Sequence, residues 1–428
     1  MGLVKMTTLA LLGGSPAVSV PLAPYRTTGR EEEEAVLRVM RGGVLSAFLG
    51  AWSEEFRGGP EIKAFEAEWA AAFKAKHAIS VNSATSGLIA AMGAVGVGPG
   101  DEVIVPPYTM SATAISPLFY GAIPVFVDIE EDGFCLDPVK VAEAITPRTR
   151  AIIAVNLFGH PADLTSLRAI ADKHGIYLIE DNAQGPLAML GDRFAGTIGH
   201  IGVASLNYHK HIHTGEGGVC TTDDDTLADR LAMIRNHAEN VADRLSGGDY
   251  SNLIGHNFRM TELAAAIGRE QLKKAPALVA RRAEIANKLS AGVAGLDGIT
   301  VPYVRPDARH VYYVWAGKFD ERKLGVSREK FAKALVAEGV PTTTGYVRPL
   351  YLLPVFQRRM AIGRDGFPFN LTNRSYQKGL CPITERMHEA ELFSYLVCSY
   401  ESSDAQVDQV ISAFHKVYEN RDQLRALA

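Results

Sequence analysis

Short runs rich in Val, Ile and Ala, at residues 103–105, 123–127, 151–155, 176–179 and 201–205, punctuate the chain without any in/out alternation of apolar and polar positions. Runs of this kind are strands buried on both faces, because both sides of the sheet are then covered by helices. Between them lie stretches of helical character. Residues 137–145 open with Asp-Pro and residues 164–174 are closed by Gly175, the start and stop chemistry of helices. Repeated strand–helix units predict an α/β fold with a mostly parallel, doubly wound sheet. Ligands of such sheets sit at the carboxyl ends of the strands, so residues that directly follow a strand are candidates for function.

The two ends of the chain read differently. Thr28, three residues before Glu31, predicts a capping box, with the glutamates at 31–34 on the positive end of a helix dipole. Beyond Arg259 the texture changes to a long helical stretch over 260–289, a β-like run over 311–319, a helical stretch over 327–338 and an amphipathic helix near 407–418. This predicts a large α/β domain over 1–260 and a smaller C-terminal α+β domain over 261–428. Residues 341–368, rich in Pro, Tyr and Arg, read as loop.

Composition narrows the function classes. The 428 residues, 47% hydrophobic and 21% charged, are those of an ordinary globular protein with more than one core. Lys plus Arg (44) against Asp plus Glu (48) leaves a net charge of −4, which argues against a strongly basic nucleic-acid binder. Cys135, Cys220, Cys381 and Cys398 lie far apart with no CxxC pair, so neither a zinc site nor a disulfide framework is indicated. Residues 1–18 make a poor signal peptide and no run of about 20 apolar residues is free of Gly, Pro and charge. A cytoplasmic protein with no membrane span is expected.

Three strand-end segments carry candidate chemistry. Residues 82–88, Asn-Ser-Ala-Thr-Ser-Gly-Leu, open an apolar helix with small and hydroxylated residues, so that free N–H groups and hydroxyls form a cup for an anion or simply cap the helix. Residues 176–184 deliver Glu180, Asp181 and Gln184 at a strand end, where a carboxylate holds a cation, a ribose or a protonated ring nitrogen. Residues 205–218 place Lys210 between a strand and a Gly-rich turn, where burial lowers the pKa of the amine and suits it to Schiff-base chemistry. His209, His211 and His213 in the same segment also admit a metal-dependent hydrolase. Taken in order, a phosphate cup, a strand-end Asp and a lysine about thirty residues later describe a site for pyridoxal 5′-phosphate (PLP).

Several segments at matching spacing, over 59–69, 82–88, 101–114, 124–128, 156–163, 180–185, 205–218 and 255–262, resemble the DegT-type PLP-dependent sugar aminotransferases, which have the aspartate-aminotransferase fold (PLP fold type I). By this resemblance Lys210 carries the cofactor, Asp181 pairs with its ring nitrogen, Ala183 packs on a ring face and Gln184 bonds the ring hydroxyl. Ala84, Thr85 and Ser205 hold the phosphate. Asn257, in Gly-His-Asn-Phe-Arg-Met, resembles the residue that the neighbouring subunit contributes to the phosphate, which implies a homodimer with a shared site. The family usually stacks an aromatic residue on the ring where this chain has Met110; with extended backbone, Tyr108 would share that side.

The activity implied is transfer of an amino group from L-glutamate or L-glutamine to a cyclic ketone, either a nucleotide-linked keto-sugar or a keto-cyclitol. Residues 215–218 and 381–385 resemble the branch containing glutamine-dependent scyllo-inosose aminotransferases. A related group of sugar dehydratases has histidine in the lysine slot, and His209 and His211 flank Lys210. Tyr346, Arg348 and Tyr351 are candidates either for reaching the acceptor or for packing between domains.

Overall fold

In the computed structural model, which describes residues 8–244 and 249–425, seven strands form one sheet. They are β1 (His77–Val81), β2 (Glu102–Val105), β3 (Ile123–Phe126), β4 (Thr149–Val155), β5 (Tyr177–Asp181), β6 (Ile201–Ser205) and β7 (Gly218–Thr222), in the order β1-β7-β6-β5-β4-β2-β3. β7 is antiparallel to both of its neighbours and every other pair is parallel. β1 and β7 join the five strands expected from hydropathy and complete one side of the sheet.

The main helices are α1 (Arg30–Gly42), α2 (Pro60–Phe73), α3 (Ala84–Ala94), α4 (Pro138–Ala144), α5 (Leu164–His174), α6 (Asp225–Arg235), α7 (Glu262–Val293), α8 (Arg328–Ala337) and α9 (Asp404–Glu419). Both faces of the sheet are covered, which is why its strands show no alternation. Along β4, Ile152 and Ala154 enter a core with Trp69 and Phe65 of α2 and Leu167 of α5, whereas Ala151 and Ile153 enter another with Leu88 and Met92 of α3 and Leu231 of α6. Each fully buried Ile or Leu contributes about 1.5–3 kcal/mol. Two packed layers therefore hold the strand ends, and the residues on them, in fixed positions.

α1 begins one residue later than the capping-box reading. Its cap is Gly29, whose N–H donates to Glu32 Oε2 at 2.7 Å. Two residues earlier, the Thr27 hydroxyl donates to Gln271 Oε1 of α7 at 2.7 Å in a buried hydrogen bond.

A four-stranded antiparallel sheet, β8 (Ile299–Thr300), β9 (Trp315–Phe319), β10 (Thr342–Thr344) and β11 (Leu392–Tyr395), has the order β8-β9-β11-β10. Trp315, Phe319 and Phe393 pack there with Phe331 of α8, Phe414 of α9 and the second half of α7. Leu9, Val18 and Leu22 join the same core, so the start of the described chain packs with its end. The expected loop over 341–368 contains β10 and two helical turns, Leu350–Leu352 and Pro354–Gln357. Its Leu350, Tyr351 and Phe356 are buried against Phe126 beneath the large sheet, an apolar plug whose prolines hide any period. Among the described residues no helix is long and apolar enough to cross a membrane.

Candidate active site

Successive residues on a strand point to opposite faces, and this separates the two acids that end β5. Glu180 is fully enclosed. It accepts from the N–H groups of Gly196 (2.6 Å), Ile198 (2.7 Å) and Gly199 (2.6 Å) and from Asn156 Nδ2 (3.1 Å), which makes it the staple of the 196–199 turn. Asp181 faces the other way, into a cavity of about 270 Å³. Its Oδ2 accepts from Thr113 Oγ1 at 2.7 Å and its Oδ1 from the N–H of Ala183 at 3.2 Å. Burial pushes its carboxyl upward, opposed by those two donors and by the charge of Lys210.

α3 supplies the opposite wall. Ser83 caps it, with Oγ accepting from Ser86 N–H at 3.0 Å and its carbonyl from Gly87 N–H at 3.0 Å. The N–H groups of Ala84 and Thr85, in the first turn, are left pointing outward for an anion. β7 passes so close that a Cβ on Gly218 would lie 2.7 Å from Ala84 N, so glycine is what lets the strand and the cup meet. Ser205, at the end of β6, lines the same cavity, and its Oγ accepts from Asn207 N–H at 3.3 Å.

Lys210 lies in the loop between β6 and β7, with Nζ 4.4 Å from the centre of the Tyr313 ring. Burial pulls its amine down to about 8, against the raising influence of Asp181. A second cavity, of about 620 Å³, opens on the other side of Lys210; His209, Lys210, Tyr313 and Tyr346 line both chambers. The larger chamber is further walled by Tyr25, Arg26, His213, Arg282, Thr343 and Ser394, from the chain start, α7 and the smaller sheet.

Of the residues singled out from the sequence, Ala84, Thr85, Met110, Asp181, Ala183, Gln184, Ser205 and Lys210 line the smaller cavity together. Gln184 is held at both ends: Oε1 accepts from Phe158 N–H at 2.7 Å and Nε2 donates to Tyr346 OH at 3.1 Å. Met110 lines the cavity, whereas Tyr108 is fully buried behind it and bonded to His388 Nδ1 at 3.2 Å. The backbone there bends instead of running extended. Asn257 is exposed, accepts from Arg259 Nε at 2.8 Å and is not part of this cavity's lining. Tyr346 lines both chambers, while Tyr351 is bonded to Glu385 inside the core.

The histidines do not converge. His211 meets Arg282, His213 Nε2 bonds Thr27 Oγ1 at 2.7 Å, and His209 packs against Tyr208. Among the described residues no three His, Cys, Asp or Glu side chains are gathered as metal ligands, and the hydrolase reading has no geometry behind it here. Thr113, Asn207 and Glu216 lie within the segments that carry the resemblance but were not singled out, and Tyr313 comes to the site from a distant segment.

These features define a class: a type I fold whose buried carboxylate, lysine amine and helix-start anion cup face one small cavity. Among the described residues Asp181 is a buried carboxylate hydrogen-bonded only by a hydroxyl and an N–H, so a protonated ring nitrogen would give it a cationic partner, and the cup would receive a phosphate at the far end. PLP fits that set. When bound, it supplies an aldehyde for amine exchange and a ring that takes up an electron pair.

Residues 47–414 match the DegT/DnrJ/EryC1/StrS aminotransferase family. The chain belongs to that family and is a PLP-dependent aminotransferase. It is 36% identical to dTDP-3-amino-3,4,6-trideoxy-alpha-D-glucose transaminase from Streptomyces venezuelae, over 78% of this chain and 82% of that one. It is 31% identical to L-glutamine:2-deoxy-scyllo-inosose aminotransferase from Streptoalloteichus tenebrarius, over 98% of this chain and 99% of that one. Among solved structures, DesV of S. venezuelae superposes with a TM-score of 0.76 at 33% identity, covering 91% of this chain and 94% of that one.

Proposed function

We propose that this enzyme moves an amino group from L-glutamate or L-glutamine to a cyclic ketone, either a nucleotide-linked keto-sugar or a keto-cyclitol. The observation that carries the reading is the pair of chambers meeting at Lys210. The smaller accommodates the cofactor and the larger has the size of a small-molecule site, with hydroxyls and cations on its wall. Relatives that act on a dTDP-linked amino sugar and on a deoxy-inosose support a cyclic acceptor.

The roles proposed for these residues are those the family resemblance implies, and their shared place on the smaller cavity supports them. Ala84, Thr85 and Ser205 hold the phosphate, Asp181 keeps a proton on the ring nitrogen, Ala183 and Met110 cover the ring and Gln184 bonds its hydroxyl. Lys210 carries the cofactor and, once released by the donor's amine, moves a proton at the donor's α-carbon. Its burial favours the neutral amine that such a base requires. Asn257, exposed and outside the lining of its own chain's cavity, serves the site of a second subunit in a homodimer.

The two half-reactions test this separately. Donor alone is expected to convert the visible band of the holoenzyme to the near-ultraviolet band of the amine form, and a keto-cyclitol or nucleotide-linked keto-sugar is expected to restore it. A band that no amino acid alters contradicts the proposal.

A further inference from the structure

Arg282 projects from α7 into the wall of the larger chamber, which it shares with Lys210. It is 2% exposed and, among the described residues, no carboxylate pairs with it. Its partners are neutral: it donates to His211 Nδ1 and lies 4.3 Å above the centre of the Tyr25 ring, while among the described residues its Nε has no hydrogen-bond partner. Other interior guanidiniums are treated differently. Arg235 is paired with Glu66, Arg230 with Asp249, and Arg328 donates to the carbonyls of His388, Leu392 and Glu389 and pairs with Glu329. A buried charge without an anion is costly, so one left on a cavity wall marks where an anion is brought in by the ligand.

We infer that Arg282 is the anchor for the α-carboxylate of the amino donor. The inference rests on the reading that the donor is an amino acid, and it deepens that reading by naming the residue that selects it. The α-carboxylate is the negative group that glutamate and glutamine share, and it sits on the same carbon as the reacting amine. Its anchor must therefore line the chamber that holds Lys210. A side-by-side route joins the two residues: Lys210 Nζ lies over Tyr313, whose ring is 6.2 Å from that of His211, and His211 receives the bond from Arg282. A guanidinium with parallel N–H donors matches one carboxylate in a two-bonded pair. Burial, and then the charge of Arg282, keep His211 neutral, so its Nδ1 orients the guanidinium without competing for the anion.

The test compares L-glutamine with L-glutamine α-amide, which lacks the charge, in single-turnover conversion of the holoenzyme's visible band. Wild type is expected to prefer the acid by about a hundredfold in kcat/KM, Arg282→Gln to reduce that preference to within about fivefold, and Arg282→Lys to lie between them. The acid-to-amide ratio cancels general damage, which a merely structural role of Arg282 on Tyr25 would cause. Equal rates for acid and amide in wild type overturn the anchor without recourse to any variant, and so does an Arg282→Gln enzyme that keeps the full preference. The same pair of assays is run with L-glutamate and its α-amide, and if neither acid converts the band of wild type, the amino-acid donor itself is refuted and the anchor falls with it.

Discussion

Glu180 and Asp181 stand side by side in the sequence, yet one staples a turn and the other faces the cofactor cavity. The sequence marks both as strand-end acids; their division follows from the pleat and from which face meets α3. Replacing Asp181 by Asn keeps the shape and removes the charge. A charge-assisted hydrogen bond contributes about 1.5–3 kcal/mol, so turnover is expected to fall roughly ten- to hundredfold in steady-state assays with the cofactor still bound. Lys210 offers a pH test. Its amine is drawn from 10.5 to about 8, so the reactive neutral form accumulates as pH rises through about 8. The rate at which cofactor-free enzyme captures PLP is expected to climb with that midpoint, and a midpoint near 10.5 would show an amine in contact with water. Lys210, Asp181 and the cup residues were legible because each follows a strand in a fixed order. Tyr313 and Arg282 were not, since both reach the site from elements more than 70 residues further along the chain, and nothing in their own neighbourhood marks them.

Among the elements, the five strands β2 to β6 were legible as continuous apolar runs, whereas β1 and β7 were not. Their sequences, His-Ala-Ile-Ser-Val and Gly-Val-Cys-Thr-Thr, carry hydroxyls that the fold satisfies internally: Ser80 bonds Glu66, Thr221 bonds the Gly196 carbonyl and Thr222 that of His200. A buried polar side chain with a partner is compatible with a sheet interior but invisible to hydropathy. β7 also sets the anion cup through Gly218. Gly218→Ala would press a methyl group on Ala84 N, a clash whose usual cost is about 1–3 kcal/mol. Titration of cofactor-free enzyme with PLP is expected to show affinity lowered about tenfold or more, and an unchanged affinity would mean that strand and cup move apart freely. At the junction of the two parts, Glu262 at the start of α7 accepts from the N–H groups of Gly59 (3.1 Å) and Glu61 (2.7 Å), capping α2. Glu262→Ala leaves those donors unpaired in the interior and is expected to destabilise the fold by about 1–3 kcal/mol, read as a lowered melting temperature.

For the whole molecule, the change in texture beyond residue 259 led to the expectation of a smaller C-terminal α+β part, but gave neither its four-stranded antiparallel sheet nor the return of residues 9–22 to its core. That contact joins sequence ends with no local signal linking them. The proposed shared site makes a prediction of its own. Lys210→Ala and Asn257→Ala homodimers, mixed and allowed to exchange subunits, would yield hybrids in which one site holds both native residues, restoring up to about a quarter of wild-type activity. If Asn257 served its own subunit, mixing would restore nothing. The central claim is that nitrogen passes from an amino acid to a ring carbon of a cyclic ketone through Lys210. Its most direct test incubates the holoenzyme with L-glutamine or L-glutamate carrying ¹⁵N at the α-amino position and a panel of keto-cyclitols and nucleotide-linked keto-sugars, and follows the label by mass spectrometry. The account predicts ¹⁵N in a stable carbon–nitrogen bond of a ring product, lost in Lys210→Ala; label recovered only as ammonia beside a deoxygenated sugar would contradict it.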